Sequence, residues 1–439
     1  MSNKEGIKLR IDRKSTAIQL LTSTTTRIIV LGGSFLLSII LARYLGPEKR
    51  GIVTAIFIIP NLLISFADLG VKQASAYYLG KKIFDSEKLT QTVLFLWLLS
   101  STISILIAFI YYKLFSVESY GWLLLSIPLF SIPFMLLEKY MDGLLLGSQM
   151  VFIINRKQIL SFVFNFLFTI IVIYLFGINI YSASLILLVI SVITAMYSLN
   201  KISKKIKISI KFNSEIFSAI LSKGFLYALT LFILSLNYKI DILFMEKMTN
   251  PKELGLYTIS VSLSELIWQI PTALGMVIFS KSATTHKESD SVQRTIKLLR
   301  IVSLPSLLIS LILWIASPFL VPLLYGEIYS DSVSMIRFLL PGILAMVIFK
   351  VLNADLAGRG YVLFSLKSYF ISLLINIILN IILIPKYGGN GAAIASSVSY
   401  TIGSCIICKA YIKAFNIKFK DMFMIRKTDL SAFKKLIRR

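Results

Sequence analysis

The stretch IIVLGGSFLLSIILA, from Ile28 to Ala42, decides the fold of this chain. It carries no charge and belongs to an apolar run that starts near residue 16 and ends in the segment Leu45–Gly51. A helix needs about 20 apolar residues to cross roughly 30 Å of hydrocarbon. Similar runs recur along the chain, so the sequence predicts an all-α polytopic membrane protein.

The composition excludes a soluble globular protein. The 439 residues are 56% hydrophobic and 15% charged, with a mean hydropathy of +0.82, whereas soluble domains carry roughly 25% charged residues. The net charge of +25 does not indicate nucleic-acid binding, because most Lys and Arg residues lie in short connections and tails between the apolar runs. Basic residues at these places indicate contact with anionic lipid headgroups.

The sequence predicts about twelve transmembrane helices in two sets of six. The spans lie near residues 16–42, 52–71, 90–112, 121–141, 158–176, 180–200, 224–246, 256–280, 298–325, 333–356, 362–385 and 391–413. The predicted domains are a basic tail (1–15), an N-lobe (16–200), a basic linker (201–223), a C-lobe (224–413) and a basic amphipathic tail (414–439).

The distribution of basic residues predicts the orientation. Counted with the basic residues near the adjoining span ends, the two tails and the connections on their side of the membrane hold 35 of the 46 Lys and Arg residues, and the opposite connections hold 7. Basic residues are enriched in cytoplasmic connections. Both termini are therefore expected in the cytoplasm. The first span is too long, and the residues before it are too basic, for a cleavable signal peptide.

The two halves repeat. Leu45–Gly51 and Asn250–Gly255 each contain a Pro four residues before a Gly, at an offset of 204. At an offset of 211, the sequence GLLLGS from Gly143 aligns with ADLAGR from Ala354. An even number of spans per half makes the halves parallel, which is a transporter architecture with the substrate site at the interface of the repeats.

Three motifs resemble a known family. The sequence LARYLGPEKRG at Leu41–Gly51, DLG at Asp68–Gly70 and PKYGGNGAAIA at Pro385–Ala395 are similar to motifs of the polysaccharide-biosynthesis flippases. These proteins belong to the multidrug/oligosaccharidyl-lipid/polysaccharide exporter superfamily. The likeness covers nearly the whole chain. It departs from the common pattern at Lys49-Arg50, where many members carry an aromatic residue.

The resemblance implies a fold like that of the superfamily's multidrug exporters and its lipid II flippase. It also implies translocation of undecaprenyl-pyrophosphate-linked oligosaccharides across the bacterial cytoplasmic membrane. Twelve spans, against fourteen in the lipid II flippase, favour the O-antigen or capsule branch. The implied partners are the polyprenyl-linked oligosaccharide, membrane lipids, and the polysaccharide polymerase with its chain-length machinery. No cofactor and no nucleic acid are implied.

Arg27 is the first candidate for substrate binding. It lies about eleven residues into the first span, where an ionisable side chain costs several kcal/mol and usually faces a cavity or a partner. Its planar guanidinium suits the oxygens of a pyrophosphate. The resemblance implies a basic residue lining the cavity in this half of the span. The alternative is that Arg27 snorkels to the cytoplasmic headgroups.

Charges in the second half supply the other candidates. Lys239 and Glu265 lie at similar depths on adjacent spans, which predicts an ion pair that is either structural or an exchangeable site for H⁺ or Na⁺. Asp241 would then be the free carboxylate. Lys350 aligns with Lys139 at the repeat offset; the two residues either snorkel or form a basic inner vestibule.

Two further carboxylates, Asp68 and Asp355, lie at predicted inner ends of spans, where the sequence does not separate capping from gating. The sequence offers no catalytic group and no metal site. Cys405 and Cys408 form a C-x-x-C within the last span without further ligands. The single histidine, His286, lies in a charged loop.

These observations favour a flippase that works by alternating access. Ion coupling stays open, with H⁺ and Na⁺ as the candidate ions. The alternative is a multidrug/toxin cation antiporter of the same superfamily, which would favour an acidic cavity. An enzyme is disfavoured, because the outward connections are too short to hold catalytic groups. Which sugars are carried is not determined by the sequence.

Overall fold

The computed structural model describes residues 13–284 and 288–424, and its regular elements are helices. They are α1 (Arg13–Ala67), α2 (Val71–Gly80), α3 (Ser86–Phe115), α4 (Val117–Gly147), α5 (Val151–Phe176), α6 (Ile180–Ser203), α7 (Ser214–Met248), α8 (Pro251–Glu265), α9 (Gln269–Thr284), α10 (Glu288–Tyr325), α11 (Ser332–Gly358), α12 (Val362–Phe415) and α13 (Phe419–Phe423). Short 3₁₀ turns occupy Leu266–Trp268 and Glu327–Tyr329.

Ten helical segments of the described chain are long and apolar enough to cross a membrane. Two of them, Thr25–Gly80 and Leu363–Phe415, have 56 and 53 residues, more than twice the length that one crossing requires. The backbone leaves helical geometry at Gly46 (φ 71°) and Gly388 (φ 54°), and these kinks divide the two long helices. Counting their halves separately gives the twelve predicted spans.

The predicted turn at Leu45–Gly51 is a kink at one residue. Gly46 adopts the positive φ that glycine tolerates best, and the helix resumes at once with Pro47. Proline is favoured in the first turn of a helix, because its ring already holds φ at a helical value and its missing N–H would have no helical partner there. The chain therefore changes direction without an intervening loop.

Residue contacts divide the chain into two compact units. The first unit contains the residues up to Tyr44 together with Leu63–Leu229, and the second contains Leu45–Leu62 together with the residues from Thr230 onward. In the first unit α4 contacts α2, α3, α5 and α6, and in the second α11 contacts α8, α9, α10 and α12. Each unit is thus built around one central helix.

The backbone repeats at the same offset that aligns Gly143 with Ala354 in the sequence. The central helices α4 and α11 end at equivalent positions. Two residues later, Gln149 (φ 58°) and its equivalent Gly360 (φ 86°) both have positive φ. The same relation holds for Gly177 (φ 67°), which follows α5, and Gly388 (φ 54°), the kink of α12. Equivalent positive-φ residues show that the two halves share local geometry as well as sequence.

Small residues let the central helices approach their neighbours closely. A Cβ atom at Gly143 of α4 would lie 2.7 Å from the carbonyl oxygen of Lys72 on α2. A Cβ atom at Gly358 of α11 would lie 2.6 Å from the carbonyl oxygen of Phe279 on α9. Close helix packing through small residues is typical of membrane helices. In the first unit it brings α2 beside the charged residues of α4.

Candidate functional site

A buried charge cluster lies in the first unit. The Lys157 side chain on α5 is 2% exposed, and its Nζ lies 2.8 Å from Glu138 Oε1 and 2.5 Å from Asp142 Oδ1. Lys72 Nζ lies 3.6 Å from Asp142 Oδ2. Thr194 donates a 2.7 Å hydrogen bond to Glu138 Oε2. Charge-assisted contacts on both carboxylates satisfy a group of ions that would be costly to bury singly.

Sequence reasoning missed this charge cluster because of the predicted span boundaries. They place Asp142 and Lys157 in a connection, whereas α4 continues to Gly147 and α5 begins at Val151. A signal was present, because Glu138 and Asp142 are four residues apart and share a helix face. Carboxylates in that arrangement beside a lysine at the start of the next helix indicate an ion pair across the two helices.

Asp68 and Arg27 belong to the same unit but differ in their surroundings. Asp68 follows α1 and is 5% exposed, and within the described chain its Oδ1 accepts no hydrogen bond. Lys139 and Lys72 are the cations that act on it electrostatically. Arg27 lies on α1 with an exposed side chain. The predicted roles of the two residues, gating or coupling for Asp68 and phosphate binding for Arg27, stay predictions.

Asp241 is the centre of a polar group in the second unit. It is 2% exposed, accepts hydrogen bonds from the hydroxyl groups of Tyr257 and Ser396, the latter at 3.0 Å, and accepts the Ile242 N–H at 2.8 Å. Within the described chain no cation forms a salt bridge with it. The groups that donate to this buried carboxylate are therefore neutral, and buried charges are usually paired.

Two asparagines of α12 extend this polar group. Asn376 and Asn380 are both fully buried. Asn376 donates to Ser399 Oγ at 3.1 Å and approaches Ser396 Oγ at 3.4 Å, and Asn380 donates to Asn376 Oδ1 at 2.9 Å. The Asn380 Oδ1 atom accepts no hydrogen bond from the described residues. The structure connects these asparagines to Asp241 through Ser396.

Lys350 lies among aromatic side chains of the second unit. Its Nζ lies 4.6 Å from the Trp268 ring centroid and donates a 3.2 Å hydrogen bond to the Tyr238 hydroxyl. Lys350, Asp241 and Lys239 are the charged residues that act electrostatically on Glu265. The four charged residues that the sequence singles out in this half therefore lie within one unit, and the predicted Lys239–Glu265 ion pair stays a prediction.

Asp355 is held by several donors at the end of α11. It is 0% exposed and accepts hydrogen bonds from Ser282, from Arg359 Nε at 3.0 Å and from the Tyr411 hydroxyl at 2.6 Å. These partners come from α9 and α12 as well as from the turn after α11. The contacts join three helices through one carboxylate.

The described residues contain no group of three or more His, Cys, Asp and Glu residues that could hold a metal ion. Cys405 and Cys408 are free thiols. His286 and residues 425–439 of the predicted basic amphipathic tail lie outside the described residues. Within residues 13–284 and 288–424, the candidate sites are therefore formed by ion pairs and hydrogen bonds between buried helices.

A family model described as "Polysaccharide biosynthesis protein" matches residues 40–334, about two thirds of the chain. The chain belongs to the polysaccharide biosynthesis protein family. The match starts just before the kink at Gly46 and ends within α11, so it includes Asp241 and the buried charge cluster around Lys157. No curated protein matches the sequence.

Solved structures similar to this polysaccharide biosynthesis protein are transporters. The lipid II flippase MurJ in an inward closed conformation is 17% identical, with a TM-score of 0.76 over 96% of this chain and 92% of that one. An inward-facing multidrug resistance MATE transporter is 16% identical, with a TM-score of 0.68 and coverages of 95% and 99%. A transporter from Pyrococcus furiosus, with a binding pocket described as reversed in polarity, gives 0.59 at 16% identity, with coverages of 91% and 95%.

These similarities confirm the predicted all-helical membrane fold. This member of the polysaccharide biosynthesis family has the fold of the multidrug/oligosaccharidyl-lipid/polysaccharide exporter superfamily. The fold itself does not identify a substrate.

Proposed function

We propose that the chain is a flippase for undecaprenyl-pyrophosphate-linked oligosaccharides. It would move them from the inner to the outer leaflet of the bacterial cytoplasmic membrane for surface polysaccharide synthesis. The observation that carries this proposal is the combination of family and fold: a polysaccharide biosynthesis protein that shares its architecture with a lipid II flippase. Both termini would lie in the cytoplasm, as the distribution of basic residues predicts.

The mechanism is alternating access along a polar route. A pyrophosphate headgroup cannot cross hydrocarbon unaided, because an unpaired charge there is very costly. Arg27 would contact the phosphates, while the polyprenyl tail stays in the lipid. Lys239, Asp241, Glu265 and Lys350 would complete the route. No covalent bond is made or broken.

Ion coupling is the second part of the proposal. Asp241 is buried among neutral donors, so a proton or Na⁺ would neutralise it and change its hydrogen bonding. Such a change biases a protein between two conformations if the ion binds one of them better. Glu265 is the second candidate, and Asp68 and Asp355 are the candidates for gating.

A gene deletion tests the function. The measurement is the amount of undecaprenyl-linked oligosaccharide on the cytoplasmic leaflet, together with the amount of surface polymer. Accumulation of the lipid-linked oligosaccharide with loss of polymer is expected. An unchanged amount of polymer with new sensitivity to cationic dyes would overturn the proposal in favour of a multidrug/toxin cation antiporter.

Arg27→Ala tests the phosphate contact in the same assay. The expected result is accumulation at a normal protein level, with partial rescue by Arg27→Lys, because Lys keeps the charge but lacks the bidentate fork. Arg156→Ala is the matched control, since Arg156 is an exposed arginine of the same unit. If Arg27→Ala transports normally, the flippase stands and Arg27 is not the phosphate contact.

A further inference from the structure

A polar cavity lies at one end of the second unit. It has a volume of about 330 Å³, within the range of roughly 300–1,000 Å³ that is usual for small-molecule sites. Its lining is Asn250, Lys252, Glu253, Leu256, Asp331, Ser334, Met335 and Asn390. These residues come from three separate places: the α7–α8 turn with the start of α8, the connection before α11 with its first turns, and the kink of α12.

All three places fall on the same side in the predicted orientation. The connections near residues 247–255, 326–332 and 386–390 all lie opposite the two termini, on the outer surface. The structure brings these three connections together around one cavity. Because none of the residues singled out for transport in the sequence lines the cavity, it is a separate feature of this unit.

Part of the lining is fixed by internal hydrogen bonds. Ser334 donates to Asn390 Oδ1 at 2.8 Å, which orients the amide. Glu253 Oε1 accepts the Gly389 N–H at 2.8 Å, so this carboxylate holds the α12 kink. Asn250 Oδ1 accepts the Glu253 N–H at 2.9 Å. The walls of the cavity are thus held in place by side chains of the lining itself.

Other groups are left for a ligand. Within the described chain, the exposed carboxylate of Asp331 and the exposed ammonium of Lys252 form no salt bridge. Asn390 uses its carbonyl oxygen for Ser334, which leaves its NH₂ group as a donor. A carboxylate acceptor beside amide and ammonium donors matches the hydroxyl groups of a sugar, each of which donates and accepts. The mixed charges suit a neutral polyhydroxylated ligand better than an anionic phosphate.

An aromatic cleft adjoins the cavity and shares Asp331 and Ser334 with it. The cleft has a volume of about 540 Å³ and is also lined by Trp314 and Arg337. Arg337 stacks on Trp314 at 4.7 Å from the ring centroid, and its Nε donates to the Trp314 carbonyl at 3.2 Å. The half-exposed indole offers an apolar surface for the C–H face of a sugar ring.

We propose that this cavity binds a sugar residue of the translocated oligosaccharide at the outer surface. Asp331 accepts sugar hydroxyl groups, Asn390 and Lys252 donate to the ring or hydroxyl oxygens, and Trp314 packs against the next residue of the glycan. The proposal rests on the proposed flippase function for the identity of the glycan. It adds a recognition site for the sugar part of the substrate, separate from any contact with the pyrophosphate.

The test uses free oligosaccharide, released by mild acid hydrolysis from the lipid-linked intermediate of the deletion strain. The full-length protein in nanodiscs is titrated with this glycan by calorimetry. We expect the wild-type protein to bind. We expect Asp331→Asn and Asn390→Ala each to weaken binding by about three- to tenfold, the usual net effect of losing one hydrogen bond. Lys386→Gln is the matched control, an exposed cation of the same α12 kink that lies outside the cavity.

Several outcomes would overturn the site. The wild-type protein could fail to bind the free glycan, or the Asp331→Asn and Asn390→Ala variants could bind it as tightly as wild type. The Lys386→Gln control could also bind as weakly as these two variants. Thermal unfolding of each variant separates loss of binding from loss of fold. The flippase proposal is judged separately by the deletion strain, so intermediate that accumulates there while the free glycan does not bind would remove this site and leave the flippase intact.

Discussion

Gly255 packs against the carbonyl oxygen of Pro47, and the relation is reciprocal, because Gly51 packs in the same way against the carbonyl oxygen of Pro251. Pro47 and Pro251 occupy equivalent positions in the two repeats, as do Gly51 and Gly255. The two copies of the motif therefore cross each other within the second unit. A Cβ atom at either glycine would overlap the opposing backbone, which explains the spacing of four residues between Pro and Gly in both copies.

The first prediction concerns this crossing. Gly255→Ala places a methyl group on the Pro47 carbonyl, and we expect destabilisation of about 1–3 kcal/mol, the usual cost of overpacking, with a lower apparent Tm in detergent. Gly32→Ala is the matched control, since a Cβ there has no atom within 4 Å and alanine favours the helix by about 0.5–1 kcal/mol. Equal Tm values for the two variants would contradict the packing argument.

The second prediction concerns the buried charge cluster. Lys157→Met removes the buried cation that pairs with both Glu138 and Asp142 and leaves Asp142 only its longer contact with Lys72. Breaking a buried pair costs about 3–5 kcal/mol. We expect a large loss of folded protein, measured by size-exclusion chromatography after heating. The triple variant Lys157→Met/Glu138→Gln/Asp142→Asn should recover much of it, because no unpaired charge remains on these three positions. Arg156→Met, which changes the exposed neighbouring cation, should behave as wild type; a Lys157→Met protein of wild-type stability would refute the role of the cluster.

The third prediction concerns coupling through Asp241. Asp241→Asn keeps the shape of the side chain and removes its charge, and its NH₂ group can only donate where one Asp241 oxygen accepts from Tyr257 and Ser396. We expect transport to fall about tenfold or more at an unchanged protein level, because ion binding no longer shifts the variant between its conformations. A tenfold fall corresponds to a loss of about 1.4 kcal/mol of coupling free energy. The measurement is leaflet accumulation of the lipid-linked oligosaccharide with Na⁺ or a proton gradient imposed. Asp85→Asn is the control, since it replaces the exposed cap of α3 with another capping residue. Transport by Asp241→Asn that still responds to the gradient would exclude Asp241.

The fourth prediction concerns Asp355. Asp355→Leu removes the acceptor shared by Arg359, Ser282 and Tyr411 and leaves the Arg359 guanidinium without its carboxylate. We expect destabilisation of about 3–5 kcal/mol, measured as a fall in Tm. The double variant Asp355→Leu/Arg359→Leu should be more stable than the single one, because it also removes the cation that contacts the Asp355 carboxylate. If both variants unfold at the wild-type temperature, Asp355 is free for gating and has no structural role.

The sequence determined the class of the molecule. In lipid no water is present to bond the backbone N–H and C=O groups of an apolar run such as Ile28–Ala42. A helix pairs these groups within the segment itself, so such runs cross the membrane as helices. The offset between the repeats likewise predicted equivalent geometry in the two halves, and the positive φ values at Gly177 and Gly388 bear this out. Both conclusions follow from local chemistry along the chain.

Only the tertiary structure decided which charges meet. Lys157 and Asp142 lie on different helices, and Asn390 meets Ser334 from the kink of α12. Tyr257 reaches Asp241 from the next helix, α8, and Ser396 reaches it from α12. Such contacts depend on the rotation and depth of each helix against its neighbours. Hydropathy gives the length of a span to within a few residues, and a shift of one residue turns a side chain by about 100° around the helix axis. The sequence therefore predicted the membrane helices, and the packing of those helices decided where the polar sites formed.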